Sequence, residues 1–286
     1  MSKRVFLTLV LTFSLLITVI PAALASGPAQ EGSLQIKGSD TMVNLNTAWA
    51  EAYMAAHPGA SIAVTGGGSG TGIAALINGT TDIAAASRKM KDEEIAEAQA
   101  RGIEPVEHIV GMDAVAVIVN ANNPVEELSL TQLADIYAGN IYNWAEVGGN
   151  DEEIVLLGRD TNSGTHEFFK EMVLHSVLGK GTEYSSDMLY MESSQAGYEE
   201  VRHNEAAIMY LGLGYVKEGV KAIRVNGVAP SYQTAMAGEY PLARPLHFYT
   251  NGQPAPDSLL AGFINFVKGC RGQVIVMTLG FVPYCE

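Results

Sequence analysis

Ser61-Ile62-Ala63-Val64-Thr65 runs directly into Gly66-Gly67-Gly68-Ser69-Gly70-Thr71-Gly72, and that into Ile73-Ala74-Ala75-Leu76-Ile77-Asn78-Gly79. The β-branched opening predicts a strand, and the glycines and hydroxyl residues predict a tight turn. Thr71 to Asn78 reads as a helix closed by Gly79 as its left-handed cap. A strand that turns through small residues into a helix is the unit from which helix-covered parallel sheets are built.

The same grammar extends both ways. Upstream, Leu34 to Lys37 reads as a strand, and Thr47 to His57 as a helix stopped by Pro58-Gly59. Downstream come a strand over Asp82 to Ala86 and a helix opened by Asp92-Glu93-Glu94, acids that suit its N-terminal dipole, and ended by Gly102. The pattern restarts at the Ala114 to Asn120 strand. Thr131 to Ala138 is helical with Gly139 as cap, Ile154 to Leu157 a strand and Thr165 to Leu178 a helix. Ala207 to Tyr210, Ala222 to Val225 and Pro245 to Thr250 read as strands, Ser258 to Val267 and Gln273 to Leu279 as helices. The expected fold class is α/β: two lobes, each a mainly parallel sheet flanked by helices, joined by a hinge near the Ala114 and Pro245 strands. Residues 33–113 plus 250–286 form lobe 1, and 114–249 form lobe 2. Trp49, Trp144 and the tyrosines at 137, 142, 210 and 215 are expected to pack in the cores or between lobes.

The chain of 286 residues is 48% apolar and 17% charged, the composition of a packed globule. With 17 basic against 31 acidic residues its formal charge is −14, which argues against a nucleic-acid partner. Residues 1–25 read as an export signal: Lys3 and Arg4, the apolar run Val5 to Ile20, then Ala23-Leu24-Ala25 for a signal peptidase. An uncleaved anchor is the alternative, because Val5 to Leu24 is just long enough to span a bilayer. Removing the segment takes two cations and no acids, leaving 15 against 31, or −16. Ser26 to Gly32 is a polar leader. In an exported chain Cys270 and Cys285 suggest a disulfide, closing a loop worth roughly 3 kcal/mol in the chain-entropy model; two unpaired thiols are the alternative.

Three segments share one design. Gly38-Ser39-Asp40-Thr41, Gly66 to Gly72, and Arg159-Asp160-Thr161-Asn162-Ser163-Gly164-Thr165 each carry small and hydroxyl residues between a strand and a helix. Helix starts leave N–H groups unpaired, glycine lets an anion approach them, and Ser and Thr add donors. Turn and capping chemistry alone explains any one segment. Three of them converging, with the forked guanidinium of Arg159, would form a cage for a small tetrahedral oxyanion.

Competing chemistries fit poorly. No Lys follows the glycines, as a phosphate-binding P-loop requires. Gly70-x-Gly72-x-x-Ala75 imitates a dinucleotide fingerprint, but the acids about 20 residues on, Glu93 and Glu94, open a helix rather than end a strand. Neither Ser69 nor Ser163 sits in a nucleophile elbow. The histidines at 57, 108, 166, 175, 203 and 247 lack metal-ligand spacing, and His166 reads as a surface or capping residue. No metal, cofactor or catalysis is expected.

These segments, with Ala86-Ser87-Arg88, Leu133 to Trp144, Leu211 to Tyr215 and Gly272 to Pro283, resemble the phosphate-binding component of the phosphate ABC importer, a type II member of the periplasmic-binding-protein superfamily. The resemblance runs in order through almost the whole exported chain. It implies two lobes closing on one inorganic phosphate, delivery to a membrane permease and ATPase, and a monomer on the outer face of the cytoplasmic membrane, periplasmic or extracellular. Carried over by position, Ser39, Thr41, Ser69, Arg159, Ser163, Gly164 and Thr165 are the expected ligands, with Gly70 beside them. Family members place a carboxylate where this chain has Arg88, to accept the phosphate's hydrogen and reject sulfate; Arg88 is expected at the site as an added cation that raises affinity for any oxyanion but removes that acceptor. Asp40 is the expected substitute acceptor. Other readings are a receptor for sulfate, molybdate or tungstate, or an exported nucleotide- or phosphoester-processing enzyme.

Overall fold

Strands β1 (Gly32–Gly38), β2 (Ala60–Thr65) and β3 (Ile83–Ala86) form a parallel ladder in the order β2-β1-β3 in the computed structural model, which describes residues 31–284. Helices α1 (Val43–Ala56) and α2 (Ser69–Ile77) connect them, and α3 (Asp92–Ala100) follows. α1 starts four residues earlier than expected, because a 3₁₀ turn over Asp40–Met42 leads straight into it. The export segment and Cys285 lie outside the described residues; Cys270 is exposed.

β4 spans Pro105–Asn120, more than twice the expected length, since its first half pairs antiparallel with the last long strand. There follow β5 (Glu127–Leu128), α4 (Leu130–Ala138), β6 (Val155–Arg159) and α5 (Gly164–Phe169). α5 continues through a π-helical stretch, Lys170–His175, into α6 (Ser176–Leu178), so the expected single helix is widened in its middle. β7 (Leu189–Met191), α7 (Ser194–His203) and β8 (Ala207–Gly212) come next. The strand expected over Ala222 to Val225 is split: β9 (Val220–Ala222) joins β4, while β10 (Arg224–Val225) joins β5. α8 (Tyr232–Met236), β11 (Ala243–Asn251), α9 (Leu259–Lys268) and α10 (Cys270–Thr278) complete the described chain. β7 and α8 are short, and α7 buries Ser194, Gly197, Tyr198 and Val201 on a helical spacing of which only two are large and apolar; none of the three was expected.

The large sheet runs β2-β1-β3-β11-β4-β8-β6-β7. Its outer ladders, β2-β1-β3 and β8-β6-β7, are parallel, as the strand–helix alternation predicts. The centre is antiparallel, β11 pairing with β3 and β4, and β4 with β8. The sheet is therefore mixed, and its two central strands bridge two cores. Leu34, Ile36, Trp49, Phe248 and Phe263 belong to one core; Val117, Trp144, Phe169 and Tyr210 belong to the other. β4 gives Val110 to the first and Val115 to the second. Each tryptophan satisfies its buried indole N–H locally, Trp49 on the Gly272 carbonyl and Trp144 on that of Ala206, both at 2.8 Å. Tyr142, expected inside, is 66% exposed, because it sits in the loop after α4 rather than on the helix.

Candidate functional site

The site assembles where the C-terminal ends of the parallel ladders meet. Gly38 ends β1 at φ +139°, and a Cβ there would lie 2.2 Å from the Ala85 carbonyl; one on Gly72 would lie 2.3 Å from the Lys37 carbonyl. Only glycine lets β1, β3 and α2 come this close, which delivers three hydroxyls to one point. Ser39 Oγ donates to Ser87 Oγ at 3.0 Å, and Ser69 Oγ lies 3.3 Å from Ser87 Oγ while accepting its backbone N–H at 3.0 Å. All three serines are buried.

The opposing face comes from the turn after β6. Ser163 caps α5, its Oγ accepting from the N–H groups of Thr165 and His166 at 3.2 and 3.4 Å. His166 is buried rather than surface-exposed. Its Nδ1 lies 2.7 Å from the Arg159 carbonyl, which can only accept, so that nitrogen carries the proton. Burial lowers the imidazole pKa, with the carbonyl bond opposing.

The two faces touch. Thr41 Oγ1 lies 2.9 Å from Thr165 Oγ1, and the Gly70 N–H donates to the Asn162 carbonyl at 3.0 Å. Arg159, 1% exposed, pairs across the junction with Asp40 Oδ2 at 2.5 Å. Its remaining donors reach the Met191 and Glu192 carbonyls and Ser194 Oγ, so β7 and α7 hold the fork in one orientation. Asp40 Oδ1 accepts from the Gly67 N–H at 3.3 Å, and Tyr215 donates to the Asp40 carbonyl at 2.7 Å. Lys91 and Glu167 add a more exposed ion pair across the same junction at 2.7 Å.

Ser39, Asp40, Thr41, Ser69, Gly70, Arg159, Ser163, Gly164 and Thr165 are thus brought together. Arg88 is turned away from the hydroxyl cluster: both terminal nitrogens bond the Glu94 carboxylate at 2.7 Å. That pair holds Glu94 below the usual carboxylate range against the cost of burial. Sequence reasoning missed Ser87 as a hydroxyl contributor, and missed a second buried ion pair. Asp113 and Arg244, 0% and 2% exposed, face each other on β4 and β11 with Nη2 to Oδ2 at 2.9 Å. An acid directly before the apolar run Ala114 to Val119, and a base directly before Pro245-Leu246, were the available signal. Burial pushes the Asp113 carboxyl up and the Arg244 guanidinium down, each opposed by the other's charge.

Residues 23–269 match the PBP superfamily domain. The phosphate-binding protein PstS of Pseudomonas aeruginosa is 33% identical over 273 residues, covering 88% of this chain and 83% of that protein. PstS of Bacillus subtilis is 32% identical over 257 residues, covering 89% and 82%. A crystal structure from Clostridium perfringens, of an ABC transporter substrate-binding protein with bound phosphate, superposes with a TM-score of 0.80 at 32% identity, covering 88% of this chain and all of that one. An ABC-type phosphate transport receptor from Vibrio cholerae gives 0.71 at 30% identity, covering 88% of this chain and all of that one.

Proposed function

Because this chain belongs to the PBP superfamily, and within it to the phosphate-binding proteins, we propose that it captures inorganic phosphate between its two halves and delivers it to an ABC importer. The observation that carries this reading is the 2.9 Å approach of Thr41 and Thr165, hydroxyls from opposite halves flanked by two helix starts. Stripping water from a phosphate ion is costly, so nearly every oxygen lone pair must meet a donor. Ser39, Thr41, Ser69, Ser163 and Thr165 supply hydroxyls, Gly164 supplies its N–H at the α5 start, and Arg159 supplies the guanidinium. Neither half holds the full set, so the ion favours the closed form. The division runs near Ala114 on β4 and a few residues before the expected 249/250 bound on β11, since Leu246 and Phe248 pack with Leu34 and Ile36. A net charge near −16 after export does not oppose binding, since exposed charges beyond ~10 Å are screened at moderate salt. The protein acts outside the cytoplasmic membrane as a monomer, handing the ion to a permease driven by an ATPase, with no catalytic step of its own.

A thermal-shift panel of phosphate, sulfate, molybdate and NAD tests the reading. A ligand present at 100 times its dissociation constant stabilises by ~2.7 kcal/mol, and phosphate should give the largest shift. A larger shift with another anion, or with NAD alone, would replace this assignment.

Selectivity is assigned to Asp40. Monohydrogen phosphate carries one hydrogen and sulfate none, so one acceptor among donors separates them. Asp40 is the carboxylate held within the cluster, oriented by Arg159 and the Gly67 N–H. Asp40→Asn should narrow the phosphate/sulfate affinity ratio by roughly tenfold, the scale of one well-placed hydrogen bond. A ratio equal to that of the wild type in competition calorimetry would remove the role.

A further inference from the structure

The Asp113–Arg244 pair has no place in the ligand set above, yet it reaches both halves of the site. Its two residues are direct partners on the antiparallel strands that bridge the cores. Arg244 Nη2 donates to Thr165 Oγ1 at 2.9 Å and lies 3.5 Å from Thr41 Oγ1, while Nη1 donates to the Gly164 carbonyl at 3.3 Å. Asp113 holds the guanidinium through Oδ2 and accepts the Leu213 N–H on Oδ1 at 3.1 Å. The Phe168 ring lies 5.1 Å from the guanidinium carbon.

We propose that Arg244, held by Asp113, is a positioning and specificity-determining residue: it fills one lone pair of Thr165 Oγ1 while the Thr41 hydroxyl donates to the other across their 2.9 Å contact, so that Thr165 acts toward the anion as a donor only. This rests on the phosphate reading. A hydroxyl has one hydrogen and two lone pairs and can normally present either. With the guanidinium on one lone pair of Thr165 and the Thr41 hydroxyl on the other, only its hydrogen is left for the anion. Asp40 is then the principal acceptor for a protonated phosphate oxygen. Dibasic phosphate, with one hydrogen, fits this arrangement; monobasic phosphate brings a second hydrogen and finds a donor opposite it. The same two threonines come from opposite halves, so the pair also brings the two faces into register at the strands about which they close. The charged and titratable groups around Arg244 are Asp113 on β4, Arg159 at the end of β6, His247 on β11, and the phenols of Tyr215 and Tyr240, which sense Asp113.

The test is phosphate calorimetry on the full exported chain across the second ionisation of phosphate, with thermal melting as the control for folding. Wild type should lose affinity steeply as the dibasic ion is protonated. Asp113→Asn/Arg244→Met removes both charges together, so no buried charge is left unpaired. It should melt cooperatively, bind phosphate about tenfold more weakly at alkaline pH, and show a flattened pH profile, because the freed Thr165 hydroxyl can now accept. Should it not fold, Asp113→Asn/Arg244→Gln carries the same expectation, its polar head too short for the threonines. Arg244→Lys restores a donor beside Asp113 and should steepen the profile again. A uniform loss of affinity with an unchanged pH profile would reduce the pair to a structural role and overturn the inference. Failure of the wild type to bind phosphate at any pH would instead refute the phosphate reading, and this inference with it.

Discussion

Arg159→Ala should weaken phosphate binding by about 3 kcal/mol or more, over a hundredfold, in titration calorimetry. Two costs combine. The bound ion loses its forked countercharge in a water-poor junction, where truncating one partner of a buried charge pair leaves the other uncompensated. Asp40 loses the cation that holds it at 2.5 Å, so a second negative charge faces the anion unneutralised. The side chain also satisfies the Met191 and Glu192 carbonyls and Ser194 Oγ. The free protein should therefore melt at a lower temperature, and binding must be measured where the variant is fully folded. Arg159→Lys keeps a charge but not the fork, and should fall between the two. A loss below threefold for the alanine variant would exclude Arg159 from the ion's shell.

Gly164→Ala should weaken binding by a different route. A Cβ at this position would lie 2.3 Å from Ser69 Oγ, 2.8 Å from Ser87 Oγ and 3.0 Å from Ser69 Cβ. Rotating a hydroxyl does not relieve the last contact, and both serines are tied into one network with Ser39. The methyl acts as a wedge between halves that must meet to bind. Overpacking of this kind costs about 1–3 kcal/mol, so affinity should fall roughly ten- to a hundredfold, and further for Gly164→Val. In the open form the wedge meets nothing from the other half, so melting without phosphate should be nearly unchanged. Solution scattering should show the wild type contracting on adding phosphate and the variant contracting less. A variant that binds and contracts like the wild type would show that Gly164 does not sit at the closing surface.

Much of this was legible locally. The strand–turn–helix at Ser61 to Gly79 and the helix capped by Gly139 follow from β-branched runs, apolar spacing and residues that tolerate left-handed backbone, all short-range causes. The donor-rich turns at Ser39, Ser69 and Ser163 were legible for the same reason, since a helix start needs its N–H groups met whatever surrounds it. The length of β4 was not, because its first half is a strand only through its ladder with β11. Nor was the burial of His166, which depends on the turn of chain that places the Arg159 carbonyl over its ring nitrogen.

Charges show the division most clearly. The sequence established an acidic chain and an arginine opening a hydroxyl-rich turn, but a charge finds its partner by distance in space. Asp40 meets Arg159 across 119 positions, and Asp113 meets Arg244 across 131. Arg88, one residue past Ser87, instead finds Glu94 six positions away. Sequence by itself determined which segments offer donors, because backbone hydrogen bonding and helix polarity are local. Tertiary structure alone decided which cation faces which carboxylate, because buried charges must be neutralised by whatever the fold brings within a few ångströms.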